Sequence, residues 1–246
     1  MKLRLLSLYP DQMNIYADRG NIIFFEQRCH WRGIDFEVTR CGMGEDFDPG
    51  GFDLIYMGGG QDRDQKAVAV DLVETKRKSL HAAKDAGTVI LAVCGGYQLL
   101  GSSYQLEGEM IEGLGLVDIK TVREPGPRLI GAVAIEVEAD GRKRTVAGFE
   151  NHGGRTYLGP DARPLGRVIA GHGNNGSDGF EGVREENLFG TYLHGPLLPK
   201  NAWLADHLIK LALEHHHGPG VKLEALEDSF ESAAHETARQ AALSGH

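Results

Sequence analysis

The sequence predicts an α/β domain with a largely parallel central sheet flanked by helices. Three observations carry that reading. Short apolar runs alternate with helical patterns through the first hundred residues, the mark of β-α-β units. The runs are apolar at consecutive positions, as at Val89-Ile90-Leu91-Ala92-Val93, so they read as strands buried on both faces. Two of them run straight into glycine clusters, Gly58-Gly59-Gly60 and Gly95-Gly96. These clusters fall at strand carboxyl ends, where such sheets place their ligands.

Residues 2–8 read as the first strand and not as a signal peptide, since Asp11 and Gln12 follow at once with no cleavage pattern. Residues 20–31 carry Ile22, Ile23, Phe24 and Phe25 and read as a helix ending near Gly33. Residues 34–39 alternate apolar and polar, as a strand does. Residues 54–57 form a short buried strand. Residues 66–86 form a helix with a basic exposed stretch, Lys76-Arg77-Lys78, and residues 88–93 form the next strand. A new helix starts at 97–100.

The second half changes character. Strand-like runs at 129–138, 144–148, 167–170, 179–183 and 188–193 are separated by glycine-rich turns. They are predicted to be antiparallel or mixed additions to the same sheet. Residues 203–213 form an amphipathic helix, preceded by Pro199 and followed by Gly218-Pro219-Gly220. The acidic, alanine-rich stretch 221–242 is predicted to be a C-terminal helix or tail. The expected division is a domain over 1–217 and that tail over 218–246.

A chain of 246 residues, 41% hydrophobic, buries a core that needs neither disulfides nor a metal. Its net charge of −9 argues against non-specific nucleic-acid binding, which requires a basic surface. No apolar run approaches the ~18 residues of a membrane span. Three cysteines, Cys29, Cys41 and Cys94, with no CxxC spacing, point to a reducing, cytoplasmic compartment.

Cys94 is the residue with the most chemistry to offer. It lies between a buried strand and a helix, flanked by Ala92 and Gly96, whose small size permits a sharp turn. That is the arrangement of a nucleophile elbow with Cys in place of Ser. A helix N-terminus also favours the thiolate. The alternative is an inert, buried thiol, although packing alone does not require two glycines to follow. His194 ends the run Leu188-Phe189-Gly190-Thr191-Tyr192-Leu193 at another strand's carboxyl end, so it can converge on Cys94 as a base. An ordinary turn histidine is the competing reading.

Gly58-Gly59-Gly60 can turn backbone N–H groups toward an oxyanion, with the Gly95 N–H beside them. A plain tight turn is the alternative. A phosphate loop fails because no Gly-Lys-Ser/Thr follows. Arg128 can hold a carboxylate bidentately or be a solvated loop residue. The same choice applies to Asp18 and Arg19. Asn151-His152-Gly153-Gly154-Arg155 forms a polar, glycine-rich turn. His215-His216-His217 reads as a solvated helix end, since a metal site would need further ligands.

Taken together, the glycine loop, Cys94-Gly95-Gly96-Tyr97-Gln98-Leu99-Leu100-Gly101 and Tyr192-Leu193-His194-Gly195-Pro196 resemble a class I glutamine amidotransferase of the cobyric-acid-synthase-like type. The opening motif at 8–21, Gly58-Gly59-Gly60-Gln61-Asp62, Arg128-Leu129-Ile130-Gly131 and the motif at 149–156 narrow the likeness. They resemble the branch of glutaminase subunits that serve lipid II isoglutaminyl synthases. The resemblance covers roughly residues 1–215.

It implies a three-layer fold of that class and a Cys94–His194 dyad that hydrolyses glutamine through a thioester. Gly60 and Gly95 would be the oxyanion donors, and Arg128 and Gln98 would position the glutamine. It implies no cofactor or metal in this chain. ATP and Mg would lie on a Mur-ligase-like synthetase partner in a heterodimer, which amidates D-glutamate of the lipid-linked stem peptide at the inner face of the membrane. Other acceptors, such as a corrinoid carboxylate, and a non-catalytic regulatory subunit are the alternatives. Many class I amidotransferases carry Glu two residues after the catalytic His, whereas this chain has Pro196. Glu150 and Asp18 are the candidates for orienting His194.

Overall fold

The computed structural model describes residues 1–15, 18–106 and 108–245. Six strands form the central sheet: β1 (Lys2–Leu8), β2 (Asp35–Cys41), β3 (Leu54–Met57), β4 (Val89–Val93), β13 (Val183–Glu185) and β14 (Leu188–Thr191), in the order β13-β14-β4-β3-β1-β2. All neighbours are parallel except β13, which pairs antiparallel with β14.

Side chains along these strands alternate between two cores, as the period of two demands. Leu3, Leu5, Leu54, Tyr56, Val89, Leu91 and Val93 face one core. Leu6, Leu8, Ile55, Met57, Ile90 and Ala92 face the other. Both faces are covered, which is why the strands read as unbroken apolar runs. On the first face lie α1 (Arg19–His30) and α5 (Ala202–His217). On the second lie α2 (Asp62–Asp71), α3 (Arg77–Asp85) and α4 (Gly95–Leu99). This is the three-layer α/β arrangement that the sequence predicts.

Three expectations need correction. The predicted helix at 66–86 begins four residues earlier, at Asp62, and is interrupted by a π-helical turn, Leu72–Lys76. That turn carries Lys76 inward, where its ammonium pairs with Asp71 and lies 4.6 Å from the Tyr9 ring centroid. The second-half strands do not all join the central sheet: only β13 and β14 do. Four strands that the sequence reading left out, β5 (Ser103–Leu106), β6 (Glu109–Glu112), β7 (Ile119–Arg123) and β10 (Gly154–Leu158), make a separate sheet in the order β10-β7-β5-β6. A third sheet, β12-β11-β8-β9, joins β8 (Leu129–Ala139), β9 (Arg142–His152), β11 (Gly166–Ala170) and β12 (Phe180–Glu181).

Residues 218–228 have no regular structure, yet Val221 and Leu223 pack against the first core. Helix α6 (Ser229–Ser244) then lies on β8 and β9. Arg28 of α1, fully buried, pairs with both Asp206 of α5 and Asp228 just before α6. Among the described residues no helix is long and apolar enough to cross a membrane.

Candidate active site

Cys94 sits where β4 gives way to α4, with φ 52° and ψ −110°. Positive φ is costly for a side chain with a Cβ, and such strain persists only where the surroundings impose it. Here they do. The Cys94 N–H donates to the Thr191 carbonyl of β14 at 2.8 Å, and the Cys94 carbonyl accepts from Gln98 N–H at 3.2 Å. A Cβ at Gly96 would stand 2.8 Å from the carbonyl oxygens of both Met57 and Gly58, so only glycine lets the chain turn this tightly. The predicted elbow is present.

Gly58-Gly59-Gly60 follows β3, the neighbour of β4. The Gly59 N–H donates to Asp18 Oδ2 at 2.7 Å, and the Gly59 carbonyl accepts from Ile15 N–H at 3.0 Å. Gly60 lines the cavity into which Cys94 opens. A Cβ on Gly60 would lie 2.6 Å from Met13 Sδ, and one on Gly95 would collide with the Gln65 amide. Side chains at these positions would displace Met13 and Gln65. Within the opening motif at 8–21, Tyr16 and Ala17 lie outside the described residues.

The cavity holds about 190 Å³ and is lined by Gly60, Gln65, Cys94, Gln98, Tyr104, Arg123, Arg128 and the Asn151-His152-Gly153-Gly154 turn. It thus gathers Cys94, Gly60, Gln98 and Arg128. The Arg128 guanidinium donates to Asn151 through Nε to Oδ1 and through its terminal nitrogen to the carbonyl, each at 2.8 Å. Gln98 is committed at both ends: Oε1 accepts from Gln65 Nε2 and Nε2 donates to the Tyr192 hydroxyl, each at 3.1 Å. It fixes the wall of the cavity by holding Gln65 and Tyr192. Tyr192 in turn stacks on His152, with ring centroids 3.5 Å apart.

His194 follows β14, the other neighbour of β4, and is fully buried. Its backbone bridges Phe149 of β9 in both directions, and the Phe149 ring meets its imidazole edge-on at 5.7 Å. Burial pushes the His194 imidazole down to about 4. His152, Lys200 and Arg128 add to the effect and Glu150 opposes it. The ring is therefore neutral near pH 7.

Of the two candidates for orienting His194, Glu150 acts on it through its field. Burial would raise the Glu150 carboxyl, but His152 at 3.9 Å and the backbone and ring of His172 hold it below the usual carboxylate value. The Asp18 carboxylate turns to the glycine loop instead. Its burial lifts the pKa to about 7.

Sequence reasoning missed Gln65, Tyr104 and Arg123. Gln65 lies one residue before the helix predicted at 66–86, whereas α2 begins at Asp62 and includes it. Tyr104 and Arg123 come from β5 and β7, whose sheet gave no apolar pattern. The clearest missed signal is Gly153, where a Cβ would collide with the Arg123 guanidinium.

The curated relatives agree in both length and sequence. The chain is 40% identical over 228 residues to the lipid II isoglutaminyl synthase (glutamine-hydrolyzing) subunit GatD of Streptococcus pneumoniae, covering 92% of this chain and 86% of that protein. It is 41% identical over 214 residues to the subunit of the same name from Staphylococcus aureus, covering 87% and 85%. The fold matches a chain in the structure of PurLQS from Thermotoga maritima, with a TM-score of 0.57 and 21% identity over 87% of this chain and 96% of that one. Residues 4–202 match the pattern of the CobB/CobQ-like glutamine amidotransferase domain, and this chain belongs to that family.

Proposed function

We propose that this amidotransferase is the glutaminase subunit of a two-subunit ligase that amidates a peptidoglycan precursor. Cys94 gives its proton to the neutral His194 and attacks the side-chain amide carbon of glutamine. The amide oxygen becomes an oxyanion, stabilised by the N–H groups of Gly60 and Gly95. As the C–N bond breaks, His194 returns its proton to the nitrogen, ammonia leaves, and a glutamyl thioester remains on Cys94. His194 then takes a proton from water, whose oxygen attacks the thioester; the C–S bond breaks, glutamate is released, and His194 returns the proton to the Cys94 sulfur. Arg128, its fork fixed by Asn151, pairs with the substrate carboxylate. Gln98 positions the glutamine through the walls it holds.

The ammonia passes to a Mur-ligase-like synthetase subunit in a heterodimer. That partner holds ATP and Mg and activates the α-carboxylate of D-glutamate in the lipid II stem peptide. Transfer is sheltered from water, since ammonium is not a nucleophile. The pair works in the cytoplasm, at the inner face of the membrane that carries the lipid-linked acceptor. The two GatD relatives, and the share of their length that this chain spans, support this reading.

One observation supports the chemistry above all. Cys94, held at positive φ, opens into a cavity shared with Gly60 and Arg128, while His194 lies just beyond the end of the adjacent parallel strand. The test is glutamate release from L-glutamine by the purified complex. Cys94→Ala abolishes it, and diazo-oxo-norleucine labels Cys94 in the wild type. Retained glutamate release in Cys94→Ala, or a label on another residue, overturns the mechanism. Co-purification without a Mur-ligase-like protein overturns the partner.

A further inference from the structure

The residues Asp18-Arg19-Gly20-Asn21 open α1 and have no part in the chemistry above. The structure places them between the two loops that carry the reacting groups. On one side, Asp18 Oδ2 accepts the Gly59 N–H at 2.7 Å, and the Asp18 Cβ stands 3.2 Å from where a Gly58 Cβ would be. Gly59 lies directly against Cys94, since a Cβ there would come within 3.0 Å of the Cys94 Cβ.

On the other side, Asn21 Oδ1 accepts the Leu198 N–H at 2.8 Å. Gly20 is pressed on Pro196, where a Cβ would fall 2.8 Å from Cγ. Tyr56 closes the link. Its hydroxyl donates to the Asp18 carbonyl at 3.1 Å and accepts from Asn21 Nδ2 at 2.9 Å. Asp18, Asn21 and Tyr56 are all buried.

These contacts have a geometric consequence. The glycine loop follows β3 and His194 follows β14, with β4 between them in the sheet. Donors and base must nevertheless meet one substrate from opposite sides, and errors of about 1 Å there cost on the order of 10²-fold in rate. Asp18 also holds the Gly59 N–H, leaving Gly60 to face the cavity. A buried carboxylate with one oxygen, Oδ1, that has no hydrogen-bond partner among the described residues is costly to keep for packing alone.

We propose that Asp18 and Asn21 are positioning residues: joined through Tyr56, they form a buried strut that holds the Gly58-Gly59-Gly60 loop and the His194–Leu198 segment in register across Cys94. The proposal rests on the amidotransferase reading, with Gly60 and His194 in the roles given there.

The test uses the full chain in its complex, with L-glutamine as substrate, and reads kcat and KM separately. Asp18→Ala lowers kcat on the order of 10²-fold, the scale of a lost oxyanion donor, and leaves KM within about 3-fold. Asp18→Asn, whose amide oxygen can still accept from Gly59, stays within about 5-fold of wild type, against the 10²-fold expected when positioning is lost. Amide hydrogen exchange gives a readout independent of turnover. Asn21→Ala speeds exchange at Leu198, which it touches, and also at Gly59, which it does not. Tyr56→Phe removes only the hydroxyl, keeps the packing, and speeds both.

An Asp18→Ala enzyme with wild-type kcat overturns the proposal. So does an Asn21→Ala or Tyr56→Phe chain in which Gly59 exchanges at the wild-type rate. If the wild-type complex releases no glutamate, the amidotransferase reading falls, and the exchange data alone decide whether the strut couples the loops.

Discussion

Cys94 is held in a conformation that its own side chain disfavours. A φ of 52° with ψ −110° costs a residue bearing a Cβ about 1–3 kcal/mol, while glycine adopts it freely. The surrounding hydrogen bonds to Thr191 and Gln98 impose the turn, and its benefit is the exposure of sulfur to the cavity. Two inactive variants separate these effects. Cys94→Ala removes the sulfur and keeps the strain. Cys94→Gly removes both, at a small cost in unfolded-chain entropy. Cys94→Gly should therefore be more stable than Cys94→Ala by about 1 kcal/mol, read as a higher urea midpoint. Equal midpoints would mean that the turn stores no strain.

At the scale of elements, what could be read followed burial. The central strands β1, β3, β4 and β14 announce themselves because both faces are covered, and the candidates Cys94, Gly60 and His194 lie at or just beyond their ends, as the sequence pattern places them. Strands such as Glu109–Glu112, largely exposed, carry no apolar run, so Tyr104 and Arg123 could not be placed beside the cavity. The π-turn at 72–76 is invisible because one added residue hardly disturbs a 3.6-residue period. The tail is ambiguous for a related reason: only Val221, Leu223 and Ala242 of it are sunk among apolar neighbours, and an ion pair to Arg28 supplements them. Arg28, wholly buried, holds Asp206 and Asp228, which are about one quarter and one third exposed. Arg28→Met keeps the stem and deletes the charge. Asp206 still has Arg32, but Asp228 loses its counter-ion. The loss should be about 2–3 kcal/mol, below the range for a fully buried pair because both carboxylates reach solvent. It should be accompanied by new protease cleavage within 218–228. An unchanged cleavage pattern would show that α6 is held by its packing on β8 and β9 alone.

Across the whole molecule, three buried ionisable groups near the site set how stability follows pH, and they do not agree in sign. His194 falls from 6.5 to about 4 on folding, so its contribution is full above 6.5 and is lost as pH drops through 4. Asp18 rises from 3.8 to about 7 and Glu181 from 4.5 to about 8, both through burial. Their contributions are full at acid pH and are lost as pH climbs through 7 and 8. Between pH 4.5 and 6.5 two carboxyls oppose one imidazole, and above pH 7 Glu181 acts almost alone. It should then remove about 1 kcal/mol of stability between pH 7 and 8, because the group is itself titrating there. Glu181→Gln isolates it. The Gln oxygen can still accept from the Tyr192 N–H, bonded at 2.7 Å, and from the Thr191 hydroxyl. The variant's urea midpoint should stay level from pH 7 to 8 where that of the wild type declines; parallel declines would assign the slope to another group. Thr191 and Tyr192 lie just before His194, and the Thr191 carbonyl receives the Cys94 N–H. Ionisation of Glu181 therefore loads the strand end that leads to His194 and anchors the Cys94 N–H, so stability and activity should begin to fall together as pH approaches 8.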